Sequence, residues 1–184
     1  MQKFLFFVLL FIISPAFLSG DIVRKNDLSM EELVKQSEII LHVKKRKKYT
    51  SRRSIPIDPK NPSKYPPFIK EFKNYDVIDV IYSKETEIEK SISVGFYMNF
   101  RLNIQRKYYL EDRGTSYTYP LYKSPEESKR IERQNEFIIF IQRRKGRDSV
   151  DEKYRFEAVN AVEDIKYKNK ILEILKNNKS VNIE

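Results

Sequence analysis

The only long apolar run in this 184-residue chain, Phe4 to Ile13, lies at its extreme N-terminus, so the fold must be built from short apolar segments further on. Met1-Gln2-Lys3 is a short basic start, Ser14-Pro15 interrupts the run, and Leu18-Ser19-Gly20 offers small residues at a cleavage point. That order is the pattern of an export signal and predicts a peptidase cut after Gly20. A retained anchor is the competing reading, but a spanning helix needs roughly 20 apolar residues. A lipoprotein would need a cysteine to acylate, and the chain has none. The expected product is an exported bacterial protein, periplasmic, cell-surface or secreted, with no membrane span left after cleavage.

Residues 21–184 have the length of one ordinary domain. A chain of that size can bury close to about 70% of its unfolded surface. It must hold together by packing alone, because without cysteine there is no disulfide, thiol nucleophile or thiolate metal site. Tyr and Phe, twelve of each, supply the large apolar surface. Beyond the signal the only glycines are Gly95, Gly114 and Gly146. Phosphate-cradling loops need several closely spaced glycines, so P-loop and Rossmann nucleotide enzymes are excluded.

Polar residues 21–27 read as a loose arm. Ser29-Met30-Glu31-Glu32 is a capping box that predicts a helix over 30–36, with Leu28 as a staple and Leu33 buried. Residues 38–44 read as a buried strand. Pro56, Pro59, Pro62, Pro66 and Pro67 then predict a long irregular loop over 46–68. Strands are expected at 72–82 and at 91–100, the latter extending through Leu102 and Ile104, with a charged turn between them. A tyrosine-rich loop over 105–124 leads to Ser124-Pro125-Glu126-Glu127, a second helix start. Residues 136–142 read as the central strand. Residues 154–162 read as the last strand, with Tyr154, Phe156 and Ala158 facing in, and a helix over 166–177 closes the chain. The expected class is mainly β with flanking helices, an α+β body built on a five-stranded antiparallel barrel or bent sheet.

The formal net charge is +10, or +9 once Lys3 leaves with the signal. Such a surface attracts anions. The cations are clustered. Lys44, Lys45, Arg46, Lys47, Lys48, Arg52 and Arg53 form one block, and Arg143, Arg144, Lys145 and Arg147 another. They read either as solvated strand ends or as docking sites for an anionic partner, nucleic acid being the poorest candidate for an exported protein. A second set is aromatic: Tyr108, Tyr109, Tyr117, Tyr119 and Tyr122, interleaved with Arg106, Lys107 and Arg113. Tyr and Arg are favoured interface anchors, although the same tyrosines could simply cover the barrel.

Catalytic chemistry finds little to work with. His42 is the only histidine and sits inside an apolar strand, so any Ser-His-Asp mechanism would depend on it. Metal sites built on several His or Cys are impossible, and Asp148, Asp151 and Glu152 match no calcium-loop spacing. Asp76 and Asp79 face opposite sides of a strand unless a bulge intervenes. Glu85, Glu87 and Glu89 read as a solvated turn. No catalytic residue, metal or cofactor is implied.

The run from Ser29 to Val43, in which a short helix ends in Ser37-Glu38 and enters a β-branched strand, resembles the start of a set of small exported bacterial domains. Residues 75–82, 136–141 and 154–176 are similar to their second strand, their glutamate-led central strand, and their closing strand and helix. That set resembles the OB-fold barrel of the netrin and metalloproteinase-inhibitor superfamily. The resemblance implies a fold. The inhibitors act through an N-terminal cysteine, and its absence here removes that activity. The expected role is a non-enzymatic binding domain whose partner is a protein or an anionic envelope polymer. The rivals are an exported enzyme with an unfamiliar carboxylate site, which needs a deep acidic pocket, and a structural envelope component.

Overall fold

The computed structural model describes residues 23–96, 99–111, 117–144 and 153–180. Residues 1–22, where an export signal is expected, and Arg113, Gly114, Lys145, Gly146, Arg147, Asp148, Asp151 and Glu152 lie outside the described residues. In chain order the elements are β1 (Val23–Asp27), α1 (Met30–Gln36), β2 (Ile39–Ile55), β3 (Phe68–Ser83), β4 (Ser91–Gly95) and α2 (Asn99–Leu110). Then follow β5 (Tyr117–Leu121), α3 (Pro125–Glu132), β6 (Glu136–Arg143), β7 (Tyr154–Phe156), β8 (Val162–Glu163) and α4 (Lys168–Ser180).

The two capping boxes form as the sequence requires. Ser29 Oγ accepts from the Glu32 N–H at 3.2 Å, and the Glu32 carboxylate accepts from the Ser29 N–H at 2.8 Å. Ser124 and Glu127 repeat the exchange at 3.2 and 3.3 Å. Each box satisfies N–H groups that the first helical turn leaves open. Each helix then turns an apolar side inward, Leu33 and Val34 on α1 and Ile131 on α3.

The protein is mainly β. Antiparallel pairings join β2–β3, β3–β4, β2–β6, β6–β7 and β6–β8, and one parallel pairing joins β4–β7. Five of these strands therefore pair in sequence from β2 through β3, β4, β7 and β6 back to β2, while β8 is added on β6. The β4–β7 step rests on two residue pairs, Val94 with Tyr154 and Gly95 with Arg155. Phe137 to Ile141 of β6 are all at 0% exposure, as are Ile39, Leu41, Val43, Tyr75 and Val94. Each such side chain contributes roughly 1.5–3 kcal/mol of burial free energy. That supply lets a cysteine-free chain fold. Among the described residues no helix is long and apolar enough to cross a membrane.

Several expectations are corrected. The sheet has six strands, is mixed and is not a closed barrel, where a five-stranded antiparallel barrel or bent sheet was expected. A parallel pair needs a long crossover, and the chain between Gly95 and Tyr154 supplies one. β2 does not stop at Lys44 but runs to Ile55, pairing Thr50–Ile55 with Phe68–Lys73, so the basic block lies inside a strand. The prolines forbid ladder positions only from residue 56 onward, and the expected loop over 46–68 shrinks accordingly. At Arg46–Tyr49 the ladder bulges, since Lys45 opposes Tyr75 and Thr50 opposes Lys73.

Leu102 and Ile104 belong to a helix, α2, and not to a strand; Asn99–Leu110 has neither Gly nor Pro and is rich in straight-chain residues that favour helix. The expected arm and the expected tyrosine loop contain strands β1 and β5, which pair in parallel from Val23–Tyr117 to Asp27–Leu121. The last strand divides into β7 and β8 around Asn160, whose φ of 57° lies in the left-handed region that Asn tolerates. Tyr154, Phe156 and Ala158 are buried as expected, and on α4 Ile171 is buried, with Ile174 and Leu175 packed partly against the core.

Candidate interaction surface

Beyond Lys45, β2 leaves β6 behind and continues with β3 as an arm that is two-stranded only from Arg52 and Glu71 outward, since β3 also pairs with β4 over Phe72–Asp76, and that ends in the proline-rich turn. The first basic block lies along this arm. Lys45 turns inward and donates to the Glu132 carbonyl at the end of α3, at 2.7 Å. Arg46 Nε lies 3.4 Å from Asp76, and Arg52 Nε donates to Glu71 at 2.7 Å. Arg53 stacks over Phe72, 5.0 Å from the ring centroid. Lys44, Lys47 and Lys48 are exposed and, among the described residues, form no ion pair.

The second block is elsewhere. Ile39 pairs with Ile141, so Arg143 lies past the opposite end of β2 from the arm. There it pairs with Glu85, and its backbone N–H donates to Glu38 at 3.0 Å. The Arg144 N–H donates to the Lys153 carbonyl at 3.0 Å. The structure does not bring the two blocks together.

Nor do the five tyrosines share a loop. Tyr108 and Tyr109 end α2 and are exposed, with ring centroids 5.0 Å apart. Tyr109 meets Tyr65 of the proline turn at 4.9 Å, and Lys64 lies over Tyr65 at 5.2 Å. Tyr117 and Tyr119 sit half-buried on β5, Tyr117 accepting from Asn103 Nδ2 at 3.3 Å. Tyr122 packs on Phe140 and donates to the buried carboxylate of Glu163, which also pairs with Lys123 at 3.0 Å. Burial and that carboxylate push the Tyr122 hydroxyl far up.

The arm is fastened to the body by a group that sequence reading misses. Buried Lys73 pairs with Glu132 and lies 5.4 Å from the Tyr49 ring and 4.6 Å from the Phe96 ring. The Tyr49 and Tyr75 hydroxyls are 3.3 Å apart. Burial pulls the Lys73 ammonium down, opposed by Glu132, and pushes both tyrosines up. Lys73 is one lysine among many in the sequence; two residues before Tyr75 on β3, it shares the face that Tyr75 buries. Such cation–π contacts strengthen when desolvated.

Around the other end, Glu85, Glu87, Glu89, Ile88, Arg143 and Lys153 line an open groove of about 340 Å³. Its carboxylates Glu85 and Glu89 are neutralised by Arg143 and Lys153. Glu157, between the buried Phe156 and Ala158, is half-buried, and its Oε2 has no hydrogen-bond partner among the described residues. Burial, then the nearby Glu38, raise its carboxyl to about 7, against Arg155 and Lys84. Asp76 accepts from Ser91 at 2.7 Å and Asp79 from Lys168 at 2.7 Å, so the two act separately although a bulge lies between them. His42 Nε2 is 3.4 Å from Glu136 Oε2 without hydrogen-bond geometry, a charge contact at most. Among the described residues no group of three His, Asp or Glu side chains is placed to hold a metal.

The structure is mainly β, with flanking helices and a β2–β3 arm. No family model matches the sequence, and no curated protein or solved structure matches it either.

Proposed function

We propose that this is an exported, non-enzymatic binding domain whose β2–β3 arm docks an anionic partner. One observation carries the reading. Where the arm leaves the sheet its cations separate: Lys45 and Lys73 turn inward on Glu132, Arg46 lies beside Asp76, and Lys44, at the end of the β2–β6 ladder, is exposed together with Lys47 and Lys48. A strand edge lined with lysine also resists pairing with other chains, which suits a surface meant for electrostatic contact. The order of strand pairings, with its one two-residue parallel step, supports reading the body as an open, OB-like bent sheet. The export signal supports an envelope or extracellular setting.

The test is the triple variant Lys44→Glu, Lys47→Glu, Lys48→Glu, compared with the parent on a heparin column at low and high salt. The parent is retained at low salt and released at high salt, as screening demands, and the variant elutes early at unchanged melting temperature. Equal retention of both proteins would remove the arm from the reading.

A further inference from the structure

The tip of the arm carries more than charge. Tyr108, Tyr109 and Leu110 are 41%, 37% and 41% exposed, in a row at the end of α2. Their neighbours are continuous: Lys64 covers Tyr65, Tyr65 meets Tyr109, and Tyr109 meets Tyr108. Arg106 ties α2 to the proline turn by donating to the Ile57 carbonyl at 3.3 Å. Helix end and turn therefore form one aromatic tip. Lys60 and Lys64 are exposed on the turn, and Lys107 is half-buried beside Tyr108.

Acid at the tip is scarce and partly engaged. Asp58 accepts from the Lys60 N–H at 2.9 Å and from Asn61 Nδ2 at 3.1 Å, and these bonds hold its carboxyl below the ordinary range. Glu111, exposed just past α2, is the one acid without such a role there among the described residues.

We infer that this tip docks on an anionic lipid surface. The inference rests on the anionic-partner reading and narrows it. A polyanion in solution would satisfy the lysines but offer nothing to Leu110 and the tyrosine rings. A lipid interface satisfies both, because phenol rings and aliphatic chains settle at the headgroup level while lysines reach the phosphates. Each lysine near an anionic membrane adds roughly a fivefold gain in partition.

The chain from Asp21 onward, which carries every described residue, is pelleted with phosphatidylcholine vesicles with and without phosphatidylglycerol. Two variants accompany it: Tyr108→Ser with Tyr109→Ser and Leu110→Ser, and Lys60→Glu with Lys64→Glu and Lys107→Glu. Expected is binding to the anionic vesicles alone, weakened about tenfold or more in each variant, with heparin retention kept by the serine variant. A circular dichroism melt confirms that both variants fold. Heparin retention without vesicle binding overturns the lipid inference and leaves the anionic-partner reading standing, with an acidic polymer or protein as the partner. Loss of both overturns both. Vesicle binding that is equal in parent and variants, or equal on neutral vesicles, overturns the inference.

Discussion

Replacing Glu157 with glutamine tests whether the half-buried carboxylate near the β2–β6–β7 end destabilises the fold at neutral pH. Its carboxyl rises from an ordinary 4.5 to about 7, first through burial and then through Glu38, with Arg155 and Lys84 opposing. At about 1.4 kcal/mol per pKa unit, the full shift corresponds to about 3 kcal/mol. The side chain is only half-buried, so solvent screening reduces that to about 1–2 kcal/mol. The folded state holds the proton more tightly than the unfolded chain. The contribution is therefore complete below about pH 4.5 and disappears as pH climbs through 7. Glutamine keeps the shape and cannot ionise, so Glu157→Gln should be about 1–2 kcal/mol more stable than the parent at about pH 8 and equal to it at about pH 4.5. Urea midpoints read by far-ultraviolet circular dichroism across that range check it, with a melting shift of about 2–4 °C per kcal/mol. The variant-minus-parent difference isolates this residue from carboxyls such as Asp79 and Asp164, which are held low by their partners and act at more acidic pH. An unchanged pH slope, or a variant weaker than the parent at the alkaline end, would refute the reasoning.

Two further outcomes probe the scaffold. Lys73→Met leaves Glu132 without its cation and should cost about 3 kcal/mol in urea unfolding, whereas Lys73→Met with Glu132→Leu should regain most of it, since an apolar pair avoids the desolvation penalty. Ser29→Ala removes the acceptor of the α1 capping box and should cost about 1 kcal/mol by the same measurement, with Ser29→Gly costing only a few tenths.

Local signals were legible where a few neighbouring residues settle the conformation. Ser29 with Glu32 and Ser124 with Glu127 announce helix starts, because a short side chain three residues from a carboxylate satisfies open N–H groups whatever the rest of the chain does. Glu136–Gln142 announces a buried strand through its unbroken apolar content. The elements misread depend on remote partners. Val23–Asp27 is polar and becomes a strand because Tyr117–Leu121 lies beside it. Thr50–Ile55 is basic and becomes a strand because Phe68–Lys73 returns against it. Leu102 and Ile104 looked like strand continuation, since a short apolar pattern fits either period.

By itself the sequence determined the leader-like N-terminus, the absence of thiol chemistry, the two helix caps, the apolar content of β6 and the excess of positive charge, all properties of composition or of residues within a turn of one another. Tertiary structure alone decided which lysines face in or out, that Tyr122 serves the interior while Tyr108 and Tyr109 face water, and that the two basic blocks lie at opposite ends of β2. The lysines and the two blocks follow from strand register, where a shift of a single residue sends a side chain to the other face, and the tyrosines from where α2 and the segment after β5 pack; both are set by contacts between segments far apart along the chain.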